Sequence, residues 1–147
     1  MYKIILVPLD GSPRAEAILP HVEELASRYR ARVIFLRVID GGPLVSGPHE
    51  SYAQLYLEQI RKRENEAEVY LASLLGEFQQ KGIKAQSRIV HGPIVDAIVE
   101  AAREHNVDLI ALASHGYTGL ARVYYGSVAA GLLQRVDRPL LLVRSMD

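Results

Sequence analysis

Cysteine is missing from the 147-residue chain, and neither sign of charge is in surplus. Without cysteine the chain has no disulfide framework, no zinc–thiolate site and no thiol nucleophile. The 17 basic and 17 acidic side chains cancel, which argues against a strongly basic nucleic-acid module and against a polybasic membrane binder. We therefore expect no nucleic-acid partner, and the lack of cysteine fits a cytoplasmic protein.

Long apolar runs are also missing. No stretch approaches the roughly 20 apolar residues of a membrane span, and the apolar run 4–7, which Pro8 ends, is too short for the core of a signal peptide. We expect a soluble, unprocessed protein with no membrane association. The composition is that of a globular protein, with 49% apolar and 23% charged residues, and the length suits one domain over residues 1–147.

Short apolar runs alternate with longer helical periods along the chain. The runs predict five β-strands, at Lys3–Val7, Arg32–Val38, Lys84–Val90, Asp108–Ala113 and Pro139–Arg144. The periods predict four helices. The first has Ser12 as its N-cap and Pro13 in its first position. The other three begin at Ser51, after Pro93 and at Gly126. The second helix reaches about Lys81 and should turn inward Leu57, Ile60, Ala67, Leu71, Leu74, Leu75 and Phe78; the last should turn inward Val128, Leu132 and Leu133.

Strands that alternate with helices predict an α/β fold with a parallel sheet covered on both faces. We expect a single-domain, Rossmann-like, three-layer sandwich. Right-handed crossovers leave few strand orders, and among them we expect 3-2-1-4-5. Ligands of such sheets bind outside the carboxyl ends of the strands, at the point where the strand order reverses, so the residues that follow each strand are the candidates for function.

Three segments in those places carry chemistry. Residues 8–12 (PLDGS) follow the first strand, residues 114–119 (SHGYTG) follow the fourth, and Gly126-Ser127 opens the last helix. Glycine permits close approach of the backbone to a ligand, and a helix N-terminus offers free N–H groups to an anion. If the first and fourth strands are neighbours, these segments meet as an acidic group beside a phosphate-sized nest of donors.

Several nucleotide and phosphoryl folds are excluded by missing motifs. The chain contains neither a P-loop nor a Gly-x-Gly-x-x-Gly fingerprint. A response-regulator receiver needs an aspartate after the third strand, where this chain has His91-Gly92. A flavodoxin needs a Ser/Thr-rich phosphate loop after the first strand, where Asp10 would repel a phosphate.

The sequence resembles the universal stress protein family over essentially the whole chain. The matching motifs are ILVPLDGS (5–12), LRVID (36–40), SHGYTGL (114–120), GSVA (126–129) and RPLLLVR (138–144). The nucleotide-binding branch of that family carries Gly-x2-Gly-x9-Gly-Ser/Thr. Gly116 and Gly126-Ser127 fit this pattern in register, Ala113 stands at the first glycine, and Tyr117 stands where many members have a basic residue. If position 113 required a left-handed backbone, alanine would cost about 1 kcal/mol or more; at negative φ its methyl would only crowd the ligand slightly.

The resemblance implies an ATP site, with or without Mg²⁺. Pro8 and Asp10 would line the adenosine end, and Val38 would offer backbone groups to the base. Ribose and phosphates would be surrounded by Ala113, Gly116, Gly126 and Ser127, with Val128 shaping the site. The resemblance also implies a homodimer through the apolar run at Pro139–Arg144, which we expect at a sheet edge.

Three functions stay open on the sequence alone. The first is a nucleotide-dependent switch or adaptor with slow or no hydrolysis, since the chain lacks a P-loop lysine and an evident base for water. The second is a dimeric interaction protein of the same fold that binds no nucleotide. The third is an enzyme acting on a phosphorylated or adenylated substrate. Asp10 could serve only the turn, Gly116 only the loop and Ser127 only as a helix cap.

Overall fold

A computed structural model describes residues 1–40, 50–115 and 126–145. The strands are β1 (Ile4–Pro8), β2 (Arg32–Ile39), β3 (Ala85–His91), β4 (Leu109–His115) and β5 (Leu140–Ser145). The helices are α1 (Leu19–Tyr29), α2 (Glu50–Gln80), α3 (Ile94–Glu104) and α4 (Gly126–Arg135), with a 3₁₀ turn at Ala15–Ile18 before α1. Within these ranges, none of the helices combines the length and the hydropathy needed to cross a bilayer.

The five strands form one parallel sheet in the order β3-β2-β1-β4-β5. The predicted α/β architecture and strand order are therefore confirmed. The chain starts in the centre at β1, builds outward to β3, returns to the other side of β1 with β4 and ends at the edge with β5. The order reverses between β1 and β4, which is where such sheets bind ligands.

Both faces of the sheet are covered by helices. Alternate residues of β2 show this, because Val33 and Phe35 are buried in a core that includes α1 and α2 side chains. Ile34 and Leu36 point the opposite way, into a core that includes α3 and α4 side chains. Strands buried on both faces read as continuous apolar runs, which is why these strands stand out in the sequence.

The first helix begins later than predicted. Ser12 does act as a cap, since its Oγ accepts the backbone N–H of Ala15 at 3.2 Å. The chain then forms the 3₁₀ turn, in which the N–H of Leu19 donates to the carbonyl of Glu16. Pro20 has no N–H to donate to that carbonyl, and its ring would clash with it in a continuous α-helix. The α-helix therefore starts at Leu19, with Pro20 in its first turn.

Two apolar residues predicted to face inward do not. Leu57 of α2 is 57% exposed and Leu133 of α4 is 53% exposed, whereas Ala67, Leu71, Leu74 and Phe78 are buried as predicted. The cause at Leu57 is length: a helix of 31 residues spans about 46 Å, and a strand of eight residues about 26 Å. The first half of α2 therefore extends beyond the end of the sheet.

Candidate functional site

A cavity opens where β1 and β4 separate. The two strands are paired at Ile5–Leu109 and Leu6–Ile110, although β1 continues to Pro8 and β4 to His115. The space between its walls, with the open solvent at its mouth included, measures about 780 Å³. It lies at the carboxyl ends of β1, β2 and β4, at the reversal of strand order.

The predicted site residues in the described ranges all line this cavity, and they are Pro8, Asp10, Val38, Ala113, Gly126, Ser127 and Val128. Gly116, the remaining predicted residue, lies outside the described residues, as do Tyr117, Gly119 and Arg122. Binding by these residues stays a prediction. Their convergence follows from the pairing of β1 with β4, on which the sequence argument depended.

Asp10 shapes its own turn and also lines the cavity. Its Oδ1 accepts the backbone N–H of Ser12 at 2.9 Å, and between them Gly11 has φ +85°. The left-handed conformation at Gly11 suits glycine, which has no Cβ. The turn-forming role considered for Asp10 is thus observed, and it fixes the carboxylate at the edge of the cavity.

Gly126 begins α4 with φ +74°. Any other residue would be strained in this left-handed conformation. The first N–H groups of a helix have no partners within it, and here they lie beside the cavity together with Ser127, whose side chain is exposed. The start of α4 can therefore donate hydrogen bonds to an anion in the cavity.

Ala113 has an ordinary strand conformation. It lies within β4, paired with Val143 of β5, and among the described residues the non-glycine positions with positive φ are Arg30 and Asn106. The backbone at 113 therefore does not require glycine, so the strain considered above does not arise. The alanine methyl lies in the cavity wall, 8% exposed.

The cavity has further lining residues that were not predicted from the sequence. Leu36, Ile98 and Leu112 form an apolar wall, and Arg37 adds a cation. The Arg37 Nη1 donates to the carbonyl of Val38 at 3.0 Å. In the sequence Arg37 is an ordinary polar interruption of a strand, and the usable signal was its position at the carboxyl end of β2, beside Val38.

A partly buried polar pair lies near this cation. The Tyr70 hydroxyl on α2 donates to Glu16 Oε2 at 2.7 Å. Burial raises the pKa of the Tyr70 phenol far above its usual value, and the hydrogen bond to Glu16 and the charges of Glu16 and Asp10 raise it further, while Arg37 lowers it. The charges of Asp10 and Arg37, which line the cavity, therefore act on the Tyr70–Glu16 pair.

Over residues 1–40, 50–115 and 126–145, no three His, Asp or Glu side chains are grouped so that they could hold a metal ion.

The chain is similar to known proteins over nearly its whole length. A profile described as the universal stress protein family matches residues 1–144. The universal stress protein MJ0577 of Methanocaldococcus jannaschii is 32% identical, with 98% of this chain and 96% of that protein covered, and its solved structure has a TM-score of 0.86. The universal stress protein MJ0531 of the same organism is 31% identical, with 98% of this chain and 83% of that protein covered.

Two more distant solved structures contain nucleotides. A universal stress protein in complex with cAMP is 23% identical, with a TM-score of 0.64 and 98% of each chain covered. The universal stress protein from Archaeoglobus fulgidus in complex with dAMP is 18% identical, with a TM-score of 0.68, and the match covers 97% of this chain and 98% of that one. At these identities the likeness to this chain concerns the fold.

Proposed function

Because the chain belongs to the universal stress protein family, we propose that it binds an adenine nucleotide, ATP, in the cavity between β1 and β4 and acts as a nucleotide-dependent switch or adaptor. One observation carries the proposal: an apolar wall, the backbone of Val38 and the glycine start of α4 converge on one cavity. The family members with bound cAMP and dAMP lend support at the level of the family.

The strand spacing at the cavity would suit a nucleotide. β2 and β4 flank β1 in the sheet, so their ends are two strand spacings, about 9–10 Å, apart. A flat base would fit against Leu36 and Val38 on the β2 side, where the wall is apolar. The phosphates would then lie on the β4 side, at the N-terminus of α4, where Gly126 and Ser127 can donate hydrogen bonds.

In this proposal the nucleotide is a signal rather than a substrate in rapid turnover. Any Mg²⁺ would enter with the phosphates and be held chiefly by their oxygens. The chain has no P-loop lysine, and Asp10 follows β1, towards the adenosine end. Contacts that hold the ground state without stabilising the transition state give affinity and not rate, so we expect hydrolysis to be slow.

The direct test is a thermal melt with and without millimolar Mg-ATP. Ligand at 100 times its dissociation constant stabilises the folded state by about 2.7 kcal/mol, which corresponds to several degrees in Tm for a chain of this size. Native mass spectrometry of the purified protein gives a second reading, because a retained nucleotide would add its own mass. No shift and no retained nucleotide would contradict the proposal.

The matched variants are Gly126→Val and Gly76→Ala. A side chain at Gly126 would stand at the start of α4 beside the cavity, so the ATP-induced shift should disappear. The variant also strains a residue with φ +74° and lowers the basal Tm, which is why the shift and not the Tm is compared. Gly76 lies on α2, where a Cβ meets nothing within 4 Å, and Gly76→Ala should keep the full shift.

A second candidate is a dimeric interaction protein that binds no nucleotide. The Ala113 methyl favours it, because this methyl narrows the cavity where the related pattern has glycine. Ala113→Gly separates the two candidates. If the unmodified protein shows no shift and Ala113→Gly does, the methyl is the obstacle and the second candidate describes the natural chain.

A further inference from the structure

The carbonyl of Val38 faces the cavity past the end of β1. Even-numbered residues of β2 direct their backbone groups to the β1 side, since Arg32 N–H donates to Lys3 and the Leu36 carbonyl accepts the Leu9 N–H at 2.9 Å. Odd-numbered residues face β3, as Ile39 does by accepting the Gly92 N–H at 3.1 Å. The backbone N–H and carbonyl of Val38 therefore point to the β1 side, but β1 has ended at Pro8.

The side chain of Arg37 adds hydrogen-bond donors beside the Val38 carbonyl. The guanidinium of Arg37 donates to the Val38 carbonyl at 3.0 Å, in a partly buried position, and both residues line the cavity. A carbonyl alone presents only an acceptor. With Arg37 in place the same spot presents an acceptor together with N–H donors, because a guanidinium has five N–H groups in a fixed fork.

We propose that Arg37 determines purine selectivity, so that the cavity accepts a 6-oxopurine nucleotide as well as a 6-aminopurine nucleotide. This inference rests on the proposed function, since it concerns the base of the nucleotide placed against Val38. A 6-amino group can donate to the free lone pair of the Val38 carbonyl. A 6-oxo group, which would repel that carbonyl, can accept from Arg37 instead.

Selectivity would follow the hydrogen-bond balance. Without Arg37, a 6-oxo group would face a bare carbonyl and lose its partner, while a 6-amino group would keep its own. The loss of one hydrogen bond in a partly buried site corresponds to about a tenfold change in affinity. Arg37 thus widens the range of ligands without being needed for adenine.

The experiment measures dissociation constants for ATP and for ITP, its 6-oxo counterpart, by calorimetry on the full chain. In the unmodified protein the two constants should agree within about tenfold. Arg37→Met removes the donors and keeps an extended side chain, so ITP should weaken by about tenfold or more relative to ATP. Arg88→Met is the control, because Arg88 lies on β3 beside Leu36 and outside this cavity lining; its ratio should match that of the unmodified protein.

The outcomes distinguish a failure of the proposed function from a failure of the selectivity inference alone. If the unmodified protein binds neither nucleotide, the proposed function fails and the inference fails with it. If ATP binds but ITP is rejected by more than about a hundredfold, or if Arg37→Met leaves the ratio unchanged, the inference alone is overturned. Circular dichroism checks the fold of Arg37→Met; should that variant not fold, the ratio in the unmodified protein still decides.

Discussion

Tyr70 and Glu16 join α2 to the 3₁₀ turn that leads into α1. The phenol donates to the carboxylate at 2.7 Å, and burial together with that bond holds the pKa of Tyr70 well above its ordinary value. The shift favours the neutral phenol in the folded state. In the unfolded chain Tyr70 would lose its proton near pH 10. The stabilisation that the pair gives to the folded state is therefore lost at alkaline pH.

The pair predicts a pH dependence at the alkaline end. Below about pH 10 both states hold the phenolic proton, and the contribution of the pair is fully present. Above that pH the unfolded state binds fewer protons than the folded state, so the free energy of unfolding falls, by at most about 1.4 kcal/mol per pH unit for one proton. Urea titrations from pH 8 to 11 should show this fall, and Tyr70→Phe should flatten it.

Tyr29→Phe is the control for this pH experiment. Tyr29 is 39% exposed and makes an edge-to-face contact with Tyr2, so its replacement removes a phenol and leaves the Tyr70–Glu16 hydrogen bond in place. Its stability profile should keep the slope of the unmodified protein above pH 10. Equal slopes in the unmodified protein and in Tyr70→Phe would mean that the pair does not couple folding to protonation.

Residue by residue, only part of the candidate site was predictable from the sequence. Gly126 and Ala113 were identified from a spacing of residue types, but a spacing does not give φ. The structure shows that Gly126 needs a left-handed backbone and that Ala113, within β4, does not. Arg37 was missed because its importance comes from pairing register: Val38 lies past the end of β1, and one strand read alone does not reveal where its neighbour ends.

At the scale of elements, the existence of each helix and strand was predictable and the helix boundaries less so. The 3.6-residue period does not distinguish a 3₁₀ turn from the first turn of an α-helix, so the start of α1 depended on Pro20. The same period continues through Leu57, although that side chain is exposed. Apolar spacing records which side of a helix is apolar, whereas burial also requires a partner surface.

Two glycines in helices predict opposite effects of the same substitution. Gly76 of α2 faces open space, so Gly76→Ala should raise the free energy of unfolding by roughly 0.5–1 kcal/mol through the entropy of the unfolded chain. Gly131 of α4 lies against α3, where a Cβ would meet Val95 Cγ2 at 2.8 Å. Overpacking costs about 1–3 kcal/mol, so Gly131→Ala should not show the rise in the free energy of unfolding that Gly76→Ala shows. Urea denaturation of both variants measures the difference.

The double variant Val95→Ala, Gly131→Ala tests the cause. If the contact between α3 and α4 is responsible, shortening Val95 should make the Gly131 substitution less costly than it is alone, which appears as a coupling energy in a double-mutant cycle. Equal stabilisation by Gly76→Ala and Gly131→Ala would instead show that the two helices separate easily, and the close approach would then have no energetic weight.

At the scale of the whole molecule, the strand order was predictable because few arrangements satisfy right-handed parallel crossovers. That order also places β5 at an edge. Its residues Leu140, Leu141, Leu142 and Val143 are only half-buried in the single chain, and they pack against both cores. An apolar edge strand with unpaired backbone groups is a template for another strand, and a second copy of the same chain gives closed twofold symmetry.

We therefore expect a homodimer through β5, visible as twice the 16.3 kDa chain mass in light scattering at micromolar concentration. Leu142→Lys should give the monomer, because a buried lysine at a paired edge opposes association. Gln86→Lys places the same charge on β3, the opposite edge of the sheet, and should leave the dimer intact. Circular dichroism verifies that both variants fold. A monomeric unmodified protein, or dissociation caused equally by both substitutions, would remove β5 as the interface.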